Sequence, residues 1–413
     1  MQKLEVVAIR MKQIFKDIIM LFPQILSEDQ IAFGQTTTPF AEDTIAFLNA
    51  LSRELNADPE TRQYPDLVTF AFFCRRANIL KLKERYFSEE MIRLGRGVIF
   101  HIAPSNVPVN FAYSLISGLL AGNVNIVRIP SKDFKQVQLI CNAISRIAPT
   151  HQTCASRIFL VRYDKLSKAT ALFSSLCDVR IIWGGDETID KIRKSAIPVR
   201  SFDVTFADRY SICAINASRY LSDAHFDYVA NGFYNDTYLF DQNACTAPHL
   251  VLWIGSNEDV AKSKLIFWGA LHKLVKQKYG QIQPVIAVDK LTALYNQAIN
   301  NYGVHKIATE DNLIWRIEID ELYPKIENYR CSGGYFCEYH SESLTDLTKI
   351  VNRKYQTLAF YGFDYSELSE FVLKSNLKGI DRIVPIGKTM DFSLTWDGYN
   401  LIDTLSRIIN INK

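Results

Sequence analysis

Residues 97–129 read GVIFHIAPSNVPVNFAYSLISGLLAGNVNIVRI, and the fold class can be inferred from these residues. Its first apolar run, GVIFHIA, is short and ends at Pro104, which is typical of a buried strand. FAYSLISGLLAG then predicts a helix that stops at Gly122, and NIVRI predicts a second strand. A strand, a helix and another strand in this order indicate a parallel βαβ unit.

The same alternation continues after this unit. We predict a helix in FKQVQLICNAISRIA, a strand in SRIFLVRY, a helix in LSKATALFSSL, a strand in VRIIW and a helix in ETIDKIRKSA. After about residue 216, HLVLWIG predicts a strand, VAKSKLIFWGALHKLVKQKYG a long helix, and SLTDLTKIVNRKY with TLAFYGF a helix followed by a strand. The expected fold class is therefore α/β, with two Rossmann-like doubly wound domains.

The segment before residue 92 has a helical pattern. IAFLNALSREL and VTFAFFCRRANILKLKERYF carry apolar residues at three- and four-residue spacing, with loop residues between them in DPETRQYPD. VVAIRMKQIFKDIIMLF, residues 6–22, predicts an amphipathic helix, because its charged residues argue against a signal peptide or a membrane span. The chain is therefore divided into a helical N-terminal region (1–92), a first α/β domain (93–215), a second α/β domain (216–380) and a tail (381–413) that packs back on the core.

Composition excludes several classes of function. The 413 residues are 48% apolar and 22% charged, which is typical of a folded, soluble protein. A net charge of +3 provides no concentrated basic face, so nucleic acid is not an expected partner. The eight cysteines form no C-x-x-C pair and no His/Cys cluster with zinc spacing, so no metal site is expected. Their scatter predicts a reducing, cytoplasmic compartment.

Asn106 is the first candidate for chemistry. It lies between Pro104 and Pro108, directly after the first strand of the βαβ unit. The prolines fix the backbone and aim the amide side chain, and a fixed amide N–H is the partner that a developing oxyanion needs. The alternative is an asparagine in an Asx-turn at the start of a helix.

Cys245 is the second candidate. In FDQNACTAPHLVLW it occupies a polar turn before a buried strand, and Pro248 prevents a helix from continuing through the turn. A cysteine in a polar turn can be exposed and activated, whereas Cys141 and Cys213 lie in apolar runs and act as small hydrophobes. The alternative for Cys245 is a buried structural cysteine. His249 is close in sequence and is a candidate for proton transfer.

Two strand ends carry candidate cofactor-binding residues. In VRIIWGGDETIDKIR, Gly184 and Gly185 form a strand-to-helix turn that brings backbone amides close to a ligand such as a cofactor phosphate. Arg128 and Lys132 sit at the C-terminal end of the strand NIVRI, at the edge where open α/β sheets bind cofactors. The alternatives are a tight turn without a ligand and basic side chains that are simply solvated.

The order of PSNVP, GLLAGNVNIVRIPSK, WGGDETI and QNACTAP resembles the aldehyde dehydrogenase superfamily. Within it, the chain most resembles the acyl-CoA reductase family of the bacterial luminescence (LuxC) type. The hallmarks here include YPDLVTFAFFCRRANI, GRGVIFHIAPSNVPVNFAYS, IIWGGDETI and DRIVPIGKTMDFSLTWDGYNLI, and the last phrase is the most specific. The likeness runs from about residue 60 to the C terminus. It implies an aldehyde dehydrogenase-like fold, with an NADP-binding domain at 93–215 and a catalytic domain at 216–380.

The resemblance also implies roles for individual residues. Cys245 is the nucleophile, and its backbone N–H and the Asn106 side chain hold the oxyanion. The residues that fall along the cofactor are Trp183, Gly184, Gly185, Arg128, Ser131 and Lys132. Where NAD-using aldehyde dehydrogenases often carry Glu, this chain has Lys132, and a cation there suits a 2′-phosphate. NADPH is therefore the expected cofactor.

The implied activity is NADPH-dependent reduction of a fatty acyl thioester, acyl-CoA or acyl-protein, to the aldehyde through an acyl-Cys245 intermediate. The stretch VTFADRYSICAI lacks the Glu with which hydrolytic aldehyde dehydrogenases activate water, which suits an enzyme that protects its thioester. The implied partners are an acyl-activating synthetase and further copies in a homo-oligomer. The alternatives are a short-chain CoA-acylating aldehyde dehydrogenase, an acyl-phosphate reductase and a non-catalytic acyl-accepting subunit of a larger reductase complex.

Overall fold

The computed structural model describes residues 17–23, 35–88, 91–104, 107–164, 167–223, 225–280 and 282–411. The chain divides into two units, one ending at Ala207 and resuming at Ser393, the other formed by Asp208–Phe392. The strand Tyr210–Asn216, which the predicted boundary at 215/216 leaves in the first domain, pairs in the sheet of the second unit. The division of the chain into four parts stays a prediction.

The helices follow the predicted apolar periodicity in most places. Their bounds are α1 (Glu42–Ala57), α2 (Pro65–Phe73), α3 (Arg76–Tyr86), α4 (Asn110–Leu120), α5 (Lys135–Ile147), α6 (Gln152–Ala155), α7 (Ala169–Leu176), α8 (Asp186–Arg193), α9 (Ala217–Asp223), α10 (Phe226–Thr237), α11 (Asn257–Lys278), α12 (Pro284–Asn300), α13 (Tyr365–Ser375) and α14 (Leu401–Leu405). Short 3₁₀ turns lie at Pro59–Gln63, Ala148–Thr150, Tyr238–Phe240, Ile326–Tyr329 and Leu344–Lys349.

The strands include those predicted and several that lack a clear sequence pattern. Their bounds are β1 (Ile19–Phe22), β2 (Arg93–Gly95), β3 (Val98–Ile102), β4 (Val124–Arg128), β5 (Ile158–Arg162), β6 (Val179–Trp183), β7 (Phe202–Phe206), β8 (Tyr210–Asn216), β9 (Pro248–Ile254), β10 (Val304–Lys306), β11 (Trp315–Ile319), β12 (Tyr335–Ser341), β13 (Tyr355–Tyr361), β14 (Arg382–Pro385), β15 (Thr395–Trp396), β16 (Tyr399–Asn400) and β17 (Ser406–Ile408).

The sheet of the first unit has the order β1-β5-β4-β3-β6-β7. All neighbouring strands are parallel except β1, which runs antiparallel to β5. The chain builds outward from β3 through β4 and β5, then returns to the other side of β3 with β6 and β7. The strand order therefore reverses between β3 and β6, and ligands of doubly wound sheets bind at such a reversal.

The sheet of the second unit has the order β10-β11-β12-β9-β8-β13-β14 and is parallel except for β10. Its central strand β9 is buried along its whole length. Leu250 and Leu252 face one apolar core, while Val251 and Trp253 face the other, as expected for a sheet covered on both sides. The two doubly wound sheets confirm the predicted fold class.

Three predicted helices are wrong in detail. Residues 19–22 form strand β1, because pairing with β5 satisfies their backbone and buries Phe22 in the sheet. The rest of that predicted helix, residues 6–16, lies outside the described residues. VTFAFFCRRANILKLKERYF forms two helices, since Arg75 is extended (ψ 137°) between α2 and α3. SLTDLTKIVNRKY forms only the 3₁₀ turn Leu344–Lys349.

The end of the chain packs on the sheet of the first unit. Strand β17 pairs antiparallel with β2, and the β15–β16 hairpin carries Trp396 and Tyr399. Trp396 lies with its ring centre 6.5 Å from Trp183, and Tyr399 meets Phe206 edge-on at 5.9 Å. None of the helices in the described part of the chain combines the length and the apolar character needed to cross a membrane.

Candidate functional site

Cys245 differs from most other cysteines in its exposure. All eight cysteines lie within the described residues, and only Cys245 and Cys331 are partly exposed. Burial raises the pKa of Cys141 and Cys337 to about 12, so these thiols stay protonated near neutral pH. Burial also raises the pKa of Cys331. The prediction that Cys141 acts as a small hydrophobe is confirmed, and Cys245 is not a buried structural cysteine.

Gln242 holds the turn that carries Cys245. Its side-chain amide donates to the carbonyls of Pro248 and Tyr335, both at 3.0 Å. Its side-chain oxygen accepts from the backbone N–H groups of Gly334 (3.0 Å) and Tyr335 (3.1 Å). A primary amide has two donor hydrogens and two acceptor lone pairs, so all four are used. Gln242 therefore joins the start of β9 to the start of β12.

Further bonds fix the turn on either side of the cysteine. The Ser211 hydroxyl on β8 donates to the Cys245 carbonyl at 2.6 Å, and the Ala247 N–H donates to the Ala244 carbonyl at 3.0 Å. Gln242 itself has φ 61°, a left-handed backbone that costs free energy in a residue with a side chain. A strained residue with a fully bonded side chain is typical of a position that holds a functional turn.

His249 is unsuited to carry a proton near neutral pH. Its ring is buried in β9 and stacks on Tyr210, with ring centres 5.6 Å apart. Burial, helped by the nearby charge of Arg330, lowers its pKa from 6.5 to about 3. The imidazole is therefore neutral, and the structure does not support the predicted proton-transfer role.

The predicted cofactor residues of the first unit converge at one sheet edge. In the strand register, Ile102 at the end of β3 lies opposite Arg128 on β4 and opposite Ile182 on β6. Trp183 follows Ile182, and adjacent strands are about 5 Å apart. The structure therefore brings the ends of β4 and β6 to either side of β3, at the reversal of strand order where a cofactor is expected.

A buried polar chain holds Trp183 at this edge. The Trp183 indole N–H donates to the Ser114 Oγ at 3.1 Å, and Ser114 Oγ lies 2.8 Å from His101 Nδ1. His101 Nε2 lies 3.0 Å from Asn125 Oδ1, while the Asn125 amide donates to the carbonyl of Asn123 at 2.7 Å. Burial lowers the pKa of His101 to about 4. One neutral arrangement satisfies every bond, with Ser114 donating to Nδ1 and Nε2 donating to Asn125.

Arg128 and Lys132 offer positive charge at the same edge. The Arg128 guanidinium lies over the Tyr163 ring, 4.8 Å from its centre. Its Nε is buried and has no hydrogen-bond partner among the described residues, which leaves a donor for a ligand. Ser131 and Lys132 are exposed, and the Lys132 ammonium lies 5.0 Å from the centre of the Phe134 ring.

Gly185 leaves space beside the backbone at the start of α8. A Cβ built there meets nothing within 4 Å, so protein packing does not require this glycine. At Gly184 the same Cβ would lie 3.2 Å from the Thr188 methyl group. Asp186 and Glu187 occupy the first turn of α8 and oppose the positive end of its dipole. A ligand can therefore approach the backbone closely at this turn, but the turn adds no net positive charge.

Asn106 lies outside the described residues, so its place relative to Cys245 stays a prediction. Sequence reasoning did not single out Gln242 or the His101–Ser114 pair. A histidine inside the apolar run GVIFHIA is itself a signal, because a buried polar side chain in a strand needs partners. No group of three metal-ligating side chains occurs among the described residues.

Solved structures with the same fold are aldehyde dehydrogenases. Aldehyde dehydrogenase 21 from Physcomitrella patens matches with a TM-score of 0.64 and 11% identity, over 92% of this chain and 88% of that one. Glyceraldehyde-3-phosphate dehydrogenase from Methanocaldococcus jannaschii, complexed with NADP, matches with a TM-score of 0.60 and 12% identity, over 92% of each chain. The protein therefore has the aldehyde dehydrogenase fold.

Sequence similarity places the chain in a narrower group of proteins than its fold does. The sequence profile described as Acyl-CoA reductase (LuxC) matches residues 77–408, and the chain belongs to this family. The long-chain acyl-protein thioester reductase of Vibrio harveyi is 25% identical over 296 residues, which is 71% of this chain and 59% of the relative. The chain spans about three-fifths of the length of the curated relatives it matches. The predicted resemblance is confirmed.

Proposed function

We propose that this protein reduces a fatty acyl thioester to the aldehyde through an acyl-Cys245 intermediate, with NADPH as the reductant. The observation that carries the proposal is the partly exposed Cys245 on a turn whose supporting Gln242 has every hydrogen bond made. Relatives in the same family are named long-chain acyl-protein thioester reductases, which supports a long acyl chain and a thioester donor.

The first step forms the acyl-enzyme. The Cys245 thiolate attacks the acyl carbonyl, the new C–S bond forms, and the original C–S bond breaks to release a thiol. The oxyanion of the tetrahedral intermediate needs donors in place beforehand, and we assign that role to the Asn106 side chain and the Cys245 backbone N–H. A turn fixed by Ser211 and Gln242 would hold this backbone N–H in one direction throughout.

The second step releases the aldehyde. A bound nicotinamide supplies a hydride to the carbonyl carbon of the thioester. The same donors hold the resulting oxyanion, which then collapses and expels the Cys245 thiolate. One thioester, one NADPH and one proton thus give one aldehyde, one thiol and one NADP⁺. The arrangement requires that water be excluded while the thioester exists.

The stretch VTFADRYSICAI offers no unpaired carboxylate that could activate water. Its acidic residue, Asp208, accepts two hydrogen bonds from the Arg330 guanidinium at 2.7 and 2.6 Å. A carboxylate whose two oxygens both accept hydrogen bonds from an arginine is not free to turn towards a water molecule. This pairing supports reduction of the acyl-enzyme over its hydrolysis to a free acid.

The cofactor assignment rests on the edge of the first sheet. Trp183, Gly184 and Gly185 would lie along the cofactor, and the unused donor of Arg128 and the open space at Gly185 fit such a ligand. Ser131 and Lys132 would reach the 2′-phosphate that distinguishes NADPH from NADH. A phosphate beside an exposed ammonium gains a charge-assisted bond.

The deciding experiment is NADPH oxidation by the purified protein with acyl-CoAs of increasing chain length. We expect chain-length-dependent oxidation with aldehyde as product, and a loss of at least about 10³-fold in Cys245→Ser. Cys331→Ser is the matched control, because Cys331 is the other partly exposed cysteine, and it should keep the wild-type rate. Activity that survives in Cys245→Ser would show that the nucleophile is wrongly assigned.

Other outcomes select the alternatives. Acylation of Cys245 without any oxidation of NADPH would indicate an acyl-accepting subunit of a larger complex. A preference for short acyl chains would indicate a CoA-acylating aldehyde dehydrogenase, and turnover of acyl phosphates an acyl-phosphate reductase. An acyl-activating synthetase partner and a homo-oligomeric state remain proposals, which pull-down and sizing of the native protein would test. A cytoplasmic location is likewise a proposal, and cell fractionation would test it.

A further inference from the structure

The phrase DRIVPIGKTMDF contains a segment whose backbone is bound by an acid. We call residues 386–391 the tail loop. The backbone N–H of Gly387 donates to Asp236 Oδ2 at 2.6 Å, and that of Thr389 donates to Asp236 Oδ1 at 3.0 Å. Asp236 lies on α10 and is 2% exposed. One buried carboxylate thus spans two amides of the tail loop.

A cation binds the carbonyls of the same segment. The Arg382 guanidinium on β14 donates to the carbonyls of Lys388 (2.9 Å), Thr389 (2.7 Å) and Asp391 (2.5 Å). Two N–H groups of the tail loop therefore donate to a carboxylate, and three of its carbonyls accept from a guanidinium. Such charge-assisted bonds are stronger than neutral ones and define a single conformation.

Backbone contact brings the tail loop against α10. Gly387 has φ +90°, and a Cβ added to it would lie 3.0 Å from the Gly232 Cα. A Cβ added to Gly232 would lie 3.2 Å from the Gly387 Cα. Only glycine at both positions allows this approach, which puts the amides within reach of Asp236.

The tail loop reaches the nucleophile turn through Met390. The Thr246 hydroxyl donates to the Met390 sulfur at 3.3 Å, and Thr246 is the residue directly after Cys245. Thr246 is buried, so its side chain has little freedom to compensate for a displaced neighbour. A continuous series of contacts therefore runs from Asp236 through the tail loop and Met390 to the residue beside Cys245.

We propose that Asp236 is a positioning residue for the nucleophile: by holding the tail loop against Thr246, it fixes the orientation of Cys245. The proposal rests on the proposed function only in taking Cys245 as the reacting cysteine. It assigns a task to the phrase IGKTM, whose glycine, threonine amide and methionine each make one of the required contacts.

The charge state of Asp236 controls these bonds. Burial, the largest cause, raises its pKa to about 6, against the opposing effect of the two amides. The titratable groups facing it are Asp391 of the tail loop, which pairs with Lys388, and Cys213 of β8. Protonation places an O–H against one of the two N–H groups, so one bond is lost. We therefore expect the tail loop to loosen below about pH 6.

This loosening is local. Its pH dependence is opposite to that of the contribution that Asp236 makes to global stability. Because the pKa of Asp236 is higher in the folded than in the unfolded chain, protonation through this group favours the folded state. Acid should therefore expose the amides of Gly387 and Thr389 without lowering overall stability through Asp236. The two effects are separable by measurement.

The first test needs no mutation. Hydrogen exchange of the peptide that contains residues 386–390, corrected for the intrinsic rate, is measured by mass spectrometry between pH 5 and pH 8. We expect protection to fall by about ten-fold below pH 6, as one of two bonds is lost. Protection that is constant across this range would overturn the proposed role of the Asp236 carboxylate.

The second test uses Asp236→Asn with Asp227→Asn as the matched control, since Asp227 is an exposed carboxylate on the same helix α10. In Asp236→Asn we expect pH-independent loss of protection, a change of at least about five-fold in Cys245 alkylation by iodoacetamide, and a kcat about ten-fold lower with KM little changed. Asp227→Asn should stay within about two-fold on each.

The outcomes separate this inference from the proposed function. If Cys245 alkylation responds to Asp236→Asn while no acyl-CoA is reduced, the positioning role stands and the reductase assignment fails. If acyl-CoA is reduced but alkylation and exchange are the same in both variants and the wild type, Asp236 does not position Cys245.

Discussion

The turn that carries Cys245 and the sheet edge that carries Arg128 are built in opposite ways. At the turn, Gln242 uses both donors and both acceptors within the protein. At the edge, the Arg128 Nε is buried without a partner among the described residues, and the space beside Gly185 is open. A complete set of bonds holds a reacting group ready before the substrate arrives, whereas an incomplete set is finished by a ligand.

The largest effect should come from removing the hydrogen bonds that Gln242 makes at the Cys245 turn. Gln242→Ala removes four buried hydrogen bonds, each worth about 1 kcal/mol or more, so we expect a loss of about 4 kcal/mol in the free energy of unfolding. Urea unfolding measures the change. The proposed reductase activity should fall by about 10²-fold or more, because a small displacement of a reacting group has that cost.

Gln138→Ala is the matched control for this change. Gln138 is exposed on α5 and bonds only to the Asp133 carboxylate on the surface, so its loss should cost less than about 0.5 kcal/mol. Equal losses in the two variants would mean that the Gln242 bonds contribute no more than solvent-exposed ones.

The next effect is a loss of stability in mild acid from two buried histidines, one in each unit. His101 and His249 have pKa values lowered to about 4 and about 3 from an ordinary 6.5. As pH falls below 6.5, the unfolded chain takes up these protons and the folded chain does not, so stability present above pH 6.5 is lost on acidification. Asp236 works in the opposite direction, because its pKa is raised to about 6.

We expect a net loss of about 2 kcal/mol between pH 7 and pH 5 from these three groups. His249→Phe keeps a ring against Tyr210 and removes one titrating group, so its stability should depend less on pH over this range. An undiminished dependence in His249→Phe would show that this histidine is protonated in the folded state.

The fold was largely predictable, and its exceptions share a physical cause. The runs that form β3, β4, β5 and β6 are short, apolar and separated by helical patterns, so local sequence is sufficient for them. Strand β1 was predicted as a helix because its conformation depends on pairing with β5 far along the chain. Leu344–Lys349 has helical spacing but makes only a 3₁₀ turn.

The candidate nucleophile could be predicted from the sequence, but the residues that support it could not. Cys245 was proposed from its polar turn and the family resemblance, since both are visible in the order of residues. The task of Gln242 was not, because its partners at Tyr335 and Gly334 lie on a distant strand. The same holds for Asp236, whose two amide partners belong to the tail loop.

A smaller effect should come from changing the sheet edge that carries Arg128 and Lys132. Lys132→Glu places a negative charge where a 2′-phosphate is proposed to bind, so we expect about ten-fold weaker NADPH binding, unchanged NADH binding and no loss of stability. Titration calorimetry measures both affinities. Lys191→Glu, at an exposed position on the far half of α8, is the control and should leave both affinities as they are. Equal weakening of NADPH and NADH would place Lys132 away from the 2′-phosphate.

The last effect, also a small one on stability, should come from Gly185→Ala. The backbone there has φ −66°, which alanine adopts freely, and an added Cβ meets nothing within 4 Å. The change in the free energy of unfolding should therefore stay within about 0.5 kcal/mol, because the reduced entropy of the unfolded chain is offset by the poorer fit of alanine at this N-cap. The new methyl group should weaken binding at the proposed NADPH site. Gly387→Ala makes the same substitution at φ +90° against Gly232 and should destabilise by about 2 kcal/mol. Equal losses of stability in the two variants would mean that the space at Gly185 serves the protein's own packing, whereas stability kept with cofactor affinity lost would show that a ligand uses that space.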